Sequence, residues 1–182
     1  QQAPEDLPAR VLEKTATLQA LIERNLARVR IAGGGHIIGQ RIIIHDLLNK
    51  IAGSFGRLHG KSITVEGASQ AVFRADEEDC YEAFGNLIDN ACKFANSTVR
   101  ITIAHADDIR IIIEDNGPGI PEEEKAAVLT RGVHLDETQS GTGIGLAIAQ
   151  EIIGLYNGTL TLEDSDTLGG LKVTVCFPNT TD

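Results

Sequence analysis

Apolar residues recur at steps of three and four along much of the chain, a spacing that predicts amphipathic helices. The segment Glu82–Asn96 shows it most clearly, with one apolar face made by Phe84, Leu87, Ile88, Ala91 and Phe94. Asn86, Asn90 and Lys93 repeat at the same steps and form a polar stripe beside that face. A polar stripe at the border of a core can line a cleft, where amide oxygens could bind a metal ion and the lysine a phosphate. The alternative is that the three side chains are simply solvated.

A second helical pattern runs from Leu7 to Ile31 and carries a narrower apolar seam. Its members step mostly by fours and threes: Leu7, Val11, Leu18, Ile22, Leu26 and Val29. Such a seam on a helix of roughly 25 residues suits a coiled coil or a bundle, so we expect a partner helix from a second chain or from upstream sequence. Packing on the helix's own domain is the alternative. The glycines at 33–35 end the pattern, which divides the chain into a helix (1–32), a glycine hinge (33–36) and a globular domain (37–182).

The globular domain alternates between strand-like and helical patterns. Alternating segments around a turn at Ala106–Asp108 predict a β-hairpin, and Asp76 stands where it could cap the helix that contains Glu82–Asn96. Closing strands are predicted at Thr159–Glu163 and Leu171–Phe177. This order predicts an α+β fold, a sandwich of a mixed sheet with helices on one face, rather than a doubly wound parallel sheet.

The chain has 182 residues, of which 42% are apolar, and a formal net charge of −10. These values allow a hydrophobic core and argue against nucleic acid as a general partner, because the sequence contains no basic stripe. Cys80, Cys92 and Cys176 are odd in number and lack metal-like spacing, which predicts reduced, mostly buried thiols in a cytosolic domain. No apolar run approaches the ~20 residues that span a bilayer, but the first residues read as the start of a fragment, so an upstream membrane anchor stays open.

Two glycine clusters flank a polar loop. The first is Asp115–Gly119 (DNGPG), and the second, Gly141–Leu146 (GTGIGL), opens a predicted helix. Glycine lets the backbone approach a ligand closely, and a helix N-terminus offers free N–H groups, so the two clusters together predict an anion site. The second cluster matches neither the dinucleotide-binding fingerprint nor the P-loop, because no strand leads into it and no Gly-Lys-Ser/Thr follows.

The combination of these motifs is more specific than any one of them. The N-x-x-x-N-x-x-K stripe, the DNGPG turn, the loop and the GTGIGL segment occur in one order, with a Gly-Gly pair before the last strand. This resembles the N box and glycine boxes of the catalytic, ATP-binding domain of sensor histidine kinases. Those kinases share a superfamily with gyrase, a heat-shock chaperone ATPase and MutL, which bind ATP in a Bergerat-type pocket. The resemblance covers roughly residues 37–177, and the loop at 130–136 resembles the PhoQ-type branch.

The resemblance implies a role for each matching residue. Asn90 would hold a Mg²⁺ ion that bridges the ATP phosphates, Asn86 would lie near the phosphates, and Lys93 would contact one of them. Asp115 would accept a hydrogen bond from the adenine amino group. Phosphate transfer would depend on Asn86, Lys93 and the loop residue Arg131, for which a solvated loop position is the alternative. The remaining ATP-binding positions lie in the two glycine clusters: Gly117, Gly119, Gly141, Thr142, Gly143, Ile144, Gly145 and Leu146.

Two departures from the family pattern bear on the expected chemistry. ATP-hydrolysing members of the superfamily carry a glutamate at the first N-box position as general base, whereas this chain has Asn86, and an amide cannot take a proton near neutral pH. We therefore expect slow hydrolysis and transfer of the phosphate to another nucleophile. The loop has Val128 and Leu129 in place of the usual aromatic residue, and His134 in place of a second arginine, which leaves loop closure open.

The nucleophile implied by the resemblance is a histidine. His45 begins an H-D-L-L-N segment that fits the family's H box only loosely, and it follows the hinge, so it reads as a helix-start residue. We expect the phosphoacceptor histidine to lie outside this fragment, with residues 1–32 as the second helix of the phosphotransfer bundle.

The resemblance thus implies a kinase core that binds ATP and Mg²⁺ and forms a homodimer through its N-terminal helix. It would pass phosphate to the receiver domain of a response regulator, and it would be the cytoplasmic domain of an inner-membrane sensor. Two alternatives stay open: an anti-sigma-type serine kinase of the same superfamily, and a nucleotide-binding regulatory scaffold without transfer.

Overall fold

The structure is a computed structural model and describes residues 40–129 and 145–178. The strands in this part of the chain are β1 (Gln40–Ile43), β2 (Ser62–Gly67), β3 (Val72–Ala75), β4 (Thr98–His105), β5 (Asp108–Asp115), β6 (Thr159–Asp164) and β7 (Leu171–Pro178). The helices are α1 (Ile44–His59), α2 (Glu77–Phe94), α3 (Glu122–Val128) and α4 (Gly145–Leu155). The predicted N-terminal helix (1–32) and the glycine hinge (33–36) lie outside the described residues, so both stay predictions.

Five strands form one mixed sheet in the order β2-β4-β5-β7-β6. Strands β2 and β4 are parallel, and the other neighbours are antiparallel. The predicted hairpin is confirmed as β4–β5, with Ile101 opposite Ile113 and Ile103 opposite Ile111. Strands β1 and β3 pair antiparallel in a separate two-stranded sheet. The sheet is therefore mixed, as the α+β prediction required.

The main sheet buries one face under helices. Side chains alternate in burial along the central strands, so that Ile109, Ile111 and Ile113 of β5 point into the core while Arg110 points away from it. The core joins these isoleucines to the buried residues of α1, α2 and α4. Helices on one face of a mixed sheet are the predicted sandwich, and the sheet's other face carries mainly polar residues.

Helix α2 forms largely as its periodicity predicts. Asp76 caps it, because its Oδ1 atom accepts from the backbone N–H of Glu78 at 2.8 Å and of Asp79 at 3.4 Å. The predicted apolar face is buried as far as Ala91, but Phe94 is 46% exposed, so its assignment to the core was wrong. Phe94 is the last residue of the helix, where the chain turns away towards β4.

The three cysteines are unpaired, as predicted. Cys80 and Cys92 are buried and Cys176 is half-buried. Burial raises the pKa of the Cys80 thiol to about 12 and that of Cys92 to about 11, so neither forms a thiolate near neutral pH. None of the helices in the described part of the chain has the length and apolar character needed to cross a bilayer.

Candidate functional site

The most buried carboxylate of the candidate site belongs to Asp115, the last residue of β5, which is 3% exposed. Its Oδ1 atom accepts hydrogen bonds from the backbone N–H of Gly117 at 2.7 Å and of Leu171 at 3.3 Å. Burial raises the pKa of Asp115, and the two backbone N–H groups oppose that rise only in part. The carboxylate is thus a desolvated acceptor at the end of the sheet.

Glycines allow the chain to close around this carboxylate. A β-carbon placed on Gly170 would lie 2.3 Å from Asp115 Oδ1, and one placed on Gly117 would lie 2.4 Å from the carbonyl oxygen of Phe94. Gly119 has φ +72°, a left-handed conformation that favours glycine. Gly117 and Gly119 were predicted as site residues, whereas the part played by Gly170 was missed, although the Gly-Gly pair at 169–170 was its signal.

Hydrogen bonds tie the end of α2 to the segment that follows Asp115. Asn116 Oδ1 accepts from the backbone N–H groups of Ser97 at 2.9 Å and Thr98 at 3.0 Å. Lys61 Nζ donates to the carbonyl oxygens of Ala95 at 2.7 Å and Asn96 at 3.0 Å, which α2 leaves free at its C-terminus. The C-terminal end of α2, which carries the half-exposed Phe94, is therefore held beside the Asp115 segment.

The polar stripe of α2 lies where the periodicity placed it. Asn86 and Asn90 are half-buried, at the border of the core, and Lys93 is exposed. Asn86 Nδ2 donates to the carbonyl oxygen of Glu82 at 2.8 Å, which leaves its Oδ1 atom as an acceptor. The two asparagines are thus less exposed than Lys93, and the roles of all three side chains stay predictions.

Lys93 has a partner that the motif did not predict. Its Nζ atom lies 2.5 Å from Asp89 Oδ2, one helical turn away, and Asp89 Oδ1 lies 2.8 Å from His59 Nε2 on α1. The signal for the first contact was available, because an aspartate four residues before a lysine on a helix favours an ion pair. The contact with His59 joins two helices, and no local pattern indicates it.

The start of α4 lies against the stripe. A β-carbon placed on Gly145 would lie 2.9 Å from Asn86 Oδ1, so a glycine is needed for this approach. Leu146 packs against the core as a half-buried residue. The structure therefore brings Gly145 of the second glycine cluster to the first asparagine of the stripe, a contact between residues far apart in sequence.

Five predicted site residues lie outside the described residues: Arg131, Gly141, Thr142, Gly143 and Ile144. Their roles stay predictions, and the effect of His134 on loop closure stays open, because residues 130–144 are outside the described part of the chain.

With this geometry in view, comparison with known proteins assigns the family. A family model described as "Histidine kinase-, DNA gyrase B-, and HSP90-like ATPase" matches residues 75–181. The chain belongs to this ATPase family. Its matched segment contains Asn86, Asn90, Lys93 and Asp115, and thus both ends of the candidate site.

Curated members of this ATPase family that resemble the chain are sensor kinases. Sensor protein kinase CarS of Pseudomonas aeruginosa is 38% identical over 169 residues, which cover 91% of this chain and 38% of CarS. Virulence sensor histidine kinase PhoQ of Salmonella typhimurium is 31% identical over 172 residues, which cover 92% of this chain and 35% of PhoQ. The chain thus spans little more than a third of the length of these relatives.

A solved structure supports the fold assignment. The ATP-binding domain of PrrB from Mycobacterium tuberculosis superposes with a TM-score of 0.67 at 25% identity, covering 79% of this chain and 99% of that domain. The described fold is therefore that of histidine kinase ATP-binding domains within the ATPase family.

The donor set of the ATPase site suits Mg²⁺ bound together with a nucleotide. Magnesium prefers oxygen ligands and is commonly held by one or two protein groups together with phosphates and water. The half-buried asparagines on α2 supply amide oxygens of this kind. Among the described residues, no cluster of three or more His, Cys, Asp or Glu side chains could hold a metal by itself. An ion at Asn90 would therefore depend on the nucleotide's phosphates.

The raised pKa of Asp115 predicts a pH-dependent cost of folding. Because its folded-state pKa exceeds its unfolded value, the group favours folding below the unfolded pKa, and this contribution is lost as the pH rises through the folded pKa. Asp115→Asn keeps an oxygen for the N–H groups of Gly117 and Leu171 but removes the buried charge. We expect the free energy of unfolding of the variant to be at least as large as that of the wild type at pH 7. The difference between the two free energies should narrow as the pH falls, because Asp115 of the wild type then becomes protonated and loses its buried charge.

Urea unfolding of both proteins across a pH series measures this difference. Asp107→Asn, at an exposed turn, provides a control that removes the same charge without burial. A variant that is less stable than the wild type at pH 7 would contradict the assignment of a desolvated carboxylate.

Proposed function

We propose that this chain is the ATP-binding core of a two-component sensor histidine kinase, which transfers the γ-phosphate of ATP to a histidine outside residues 1–182. The single observation that carries the proposal is the juxtaposition of a buried, acceptor-only carboxylate at Asp115 with an amide and lysine stripe on α2. Membership of the ATPase family and similarity to CarS and PhoQ support it.

The Asp115 end of the site suits adenine. In the described residues, Asp115 Oδ1 receives both backbone hydrogen bonds and Oδ2 receives none, so Oδ2 can accept from a ligand. An ionised carboxylate accepts but cannot donate. It therefore favours the amino group of adenine over the carbonyl oxygen that guanine presents at the same position. Phe94 is 46% exposed and its backbone carbonyl group lies close to Gly117, so its ring would offer an apolar surface to a base bound there.

The stripe on α2 suits the phosphates. Asn90 would hold Mg²⁺ through its amide oxygen, and the ion when bound would neutralise charge on the phosphates. Lys93 has three N–H donors, so it can donate to a phosphate while it remains paired with Asp89. Arg131 would reach the γ-phosphate from the loop, and the glycines at 141, 143 and 145 would anchor the loop and cradle phosphate.

Asn86 favours transfer over hydrolysis. Its side-chain nitrogen donates to Glu82 and its oxygen lies against Gly145. An amide oxygen accepts hydrogen bonds but cannot take a proton from water at neutral pH, so Asn86 cannot act as a general base. A site that binds ATP without activating water keeps the γ-phosphate for another nucleophile. We propose that this nucleophile is a histidine on a helix upstream, and that residues 1–32 form a homodimer around it. The receiver domain of a response regulator would take the phosphate next, and the chain would be the cytoplasmic part of an inner-membrane sensor.

Nucleotide titration tests the two ends of the site separately. We expect Asp115→Ala to weaken ATP binding more than about tenfold with or without Mg²⁺, because the base loses its acceptor. Asn90→Ala should remove most of the gain in affinity that Mg²⁺ provides, and should change Mg²⁺-free binding little. Calorimetric titration of each protein, with and without Mg²⁺, measures both effects.

Asn49→Ala is the matched control for these titrations, since Asn49 is exposed on α1 and its side-chain hydrogen bonds in the described residues go to His45 of the same helix. If Asp115→Ala and Asn90→Ala bind ATP as the wild type does, the site assignment is wrong.

Phosphate transfer distinguishes the proposed kinase from its alternatives. We expect that mixing the chain with γ-labelled ATP and a separate fragment bearing an H-box helix will label that fragment with acid-labile phosphate, as phosphohistidine requires. Lys93→Ala should reduce the labelling. Acid-stable phosphate on serine would instead support the serine kinase, and tight ATP binding without any transfer would support the scaffold.

A further inference from the structure

All the buried polar residues of the described chain lie in one region. They are Glu114, Asp115, Lys125 and Ser165, each 8% exposed or less. Asp115 has a proposed role at the base, but the other three do not. Burying such groups is costly unless they are hydrogen-bonded, so their concentration in one place calls for a physical reason.

The shared feature of these residues is the β6–β7 turn, Ser165–Gly170. Glu114 Oε1 accepts from Ser165 Oγ at 2.7 Å and from Thr167 Oγ1 at 2.9 Å. Lys125 Nζ lies 3.0 Å from Oδ1 of Asp164, the residue before the turn. Two elements distant in sequence thus fix the turn by charged groups, and hydrogen bonds to charged groups are stronger than neutral ones.

The turn holds the end of β5 from both faces of the sheet. Successive side chains of a strand point to opposite faces, so Glu114 and Asp115 face opposite ways. On one face the turn's two hydroxyl groups bind Glu114. On the other, Gly170 packs against Asp115, and Leu171 N–H donates to Asp115 Oδ1. The position of Leu171 N–H therefore depends on the contacts that Glu114 makes behind it.

Hydrogen bonds within the turn connect the residue that Glu114 holds to the residue that packs against Asp115. The backbone N–H of Ser165 donates to Gly170 carbonyl oxygen at 2.8 Å, and Leu168 N–H donates to Ser165 Oγ at 3.0 Å. Ser165, held by Glu114, is therefore directly bonded to Gly170, which touches Asp115. Glu114 is thus connected to Asp115 through two residues of the turn, Ser165 and Gly170.

We propose that Glu114 is a positioning residue for base recognition: through Ser165 it fixes the turn that supplies Gly170 and Leu171 N–H to Asp115. This inference rests on the proposed binding of adenine at Asp115. Leu171 N–H and Gly117 N–H occupy Oδ1 and orient the carboxylate, which leaves Oδ2 for the adenine amino group. Glu114 touches no ligand, so its effect should appear in discrimination between bases rather than in phosphate binding.

The test compares the affinities of the whole chain for Mg-ATP and Mg-ITP, which differ in having an amino group or a carbonyl oxygen at the recognised position of the base. We expect Glu114→Ala to weaken ATP binding about tenfold and to move the ATP/ITP affinity ratio towards one, since a misplaced acceptor loses its hydrogen bond. Glu114→Gln keeps an oxygen for the two hydroxyl groups and should retain most of the discrimination.

Glu163→Ala is the matched control. Glu163 is a carboxylate on the strand next to β7 and pairs with Lys172, but it makes no hydrogen bond to the turn in the described structure. We expect this variant to keep the wild-type ATP/ITP ratio. Circular dichroism at the titration temperature confirms that each variant is folded, and Ser165→Ala, which removes one hydroxyl donor, replaces Glu114→Ala if the latter does not fold.

A folded Glu114→Ala or Ser165→Ala protein with the wild-type ATP/ITP ratio would overturn the proposal. The proposal would also be overturned if Glu163→Ala lost the preference for ATP over ITP. The effect of Glu114→Ala would then come from removing a negative charge and not from its contacts with the turn. A wild-type chain that binds neither nucleotide would instead contradict the proposed function, so the two failures are distinguishable.

Discussion

The burial of one carboxylate, that of Asp115, is the constraint on which the rest of the site depends. Burying a charge is costly unless hydrogen bonds replace its hydration, and here the backbone N–H groups of Gly117 and Leu171 replace part of it. Both donors must come close, which requires glycine at 117 and 170. The glycine cluster and the Gly-Gly pair can therefore be understood as consequences of placing a carboxylate at the end of a buried strand.

The second half of the site depends on how α2 is attached to that strand. Asn116 and Lys61 bind the backbone just after the helix, so its last turn is fixed beside the Asp115 segment. The same helix is capped by Asp76 at its other end, where Tyr156 of the α4 region bonds to the backbone N–H of Asp76. A helix fixed at both ends can hold Asn86, Asn90 and Lys93 at set positions along its length. This rigidity is what a site for a base at one end and phosphates at the other requires.

Much of this arrangement was predictable from the sequence because it follows from local periodicity and turn chemistry. The β4–β5 hairpin, the cap at Asp76 and the stripe on α2 each depend on residues within a few positions of one another. The exposure of Phe94 was not predictable. Periodicity shows which side of the helix a residue occupies, but not how much of the helix length other elements cover. The burial of Glu114 was also missed. Neighbouring residues of a strand face opposite ways, and in the described structure Glu114 is covered by a turn that begins 51 residues later. The contact of Asp89 with His59 likewise joins two helices by tertiary packing alone.

The central claim is that an acceptor-only carboxylate selects adenine at the end of β5 while α2 holds the phosphates. The most direct measurement is calorimetric titration of the wild-type chain with Mg-ATP and with Mg-GTP under identical conditions. The two ligands share their phosphates and differ in the base, so any difference in affinity reports on the Asp115 end. The account predicts that ATP binds and that GTP binds at least about a hundredfold more weakly, because its carbonyl oxygen would face a carboxylate. Equal affinity for the two nucleotides would contradict it.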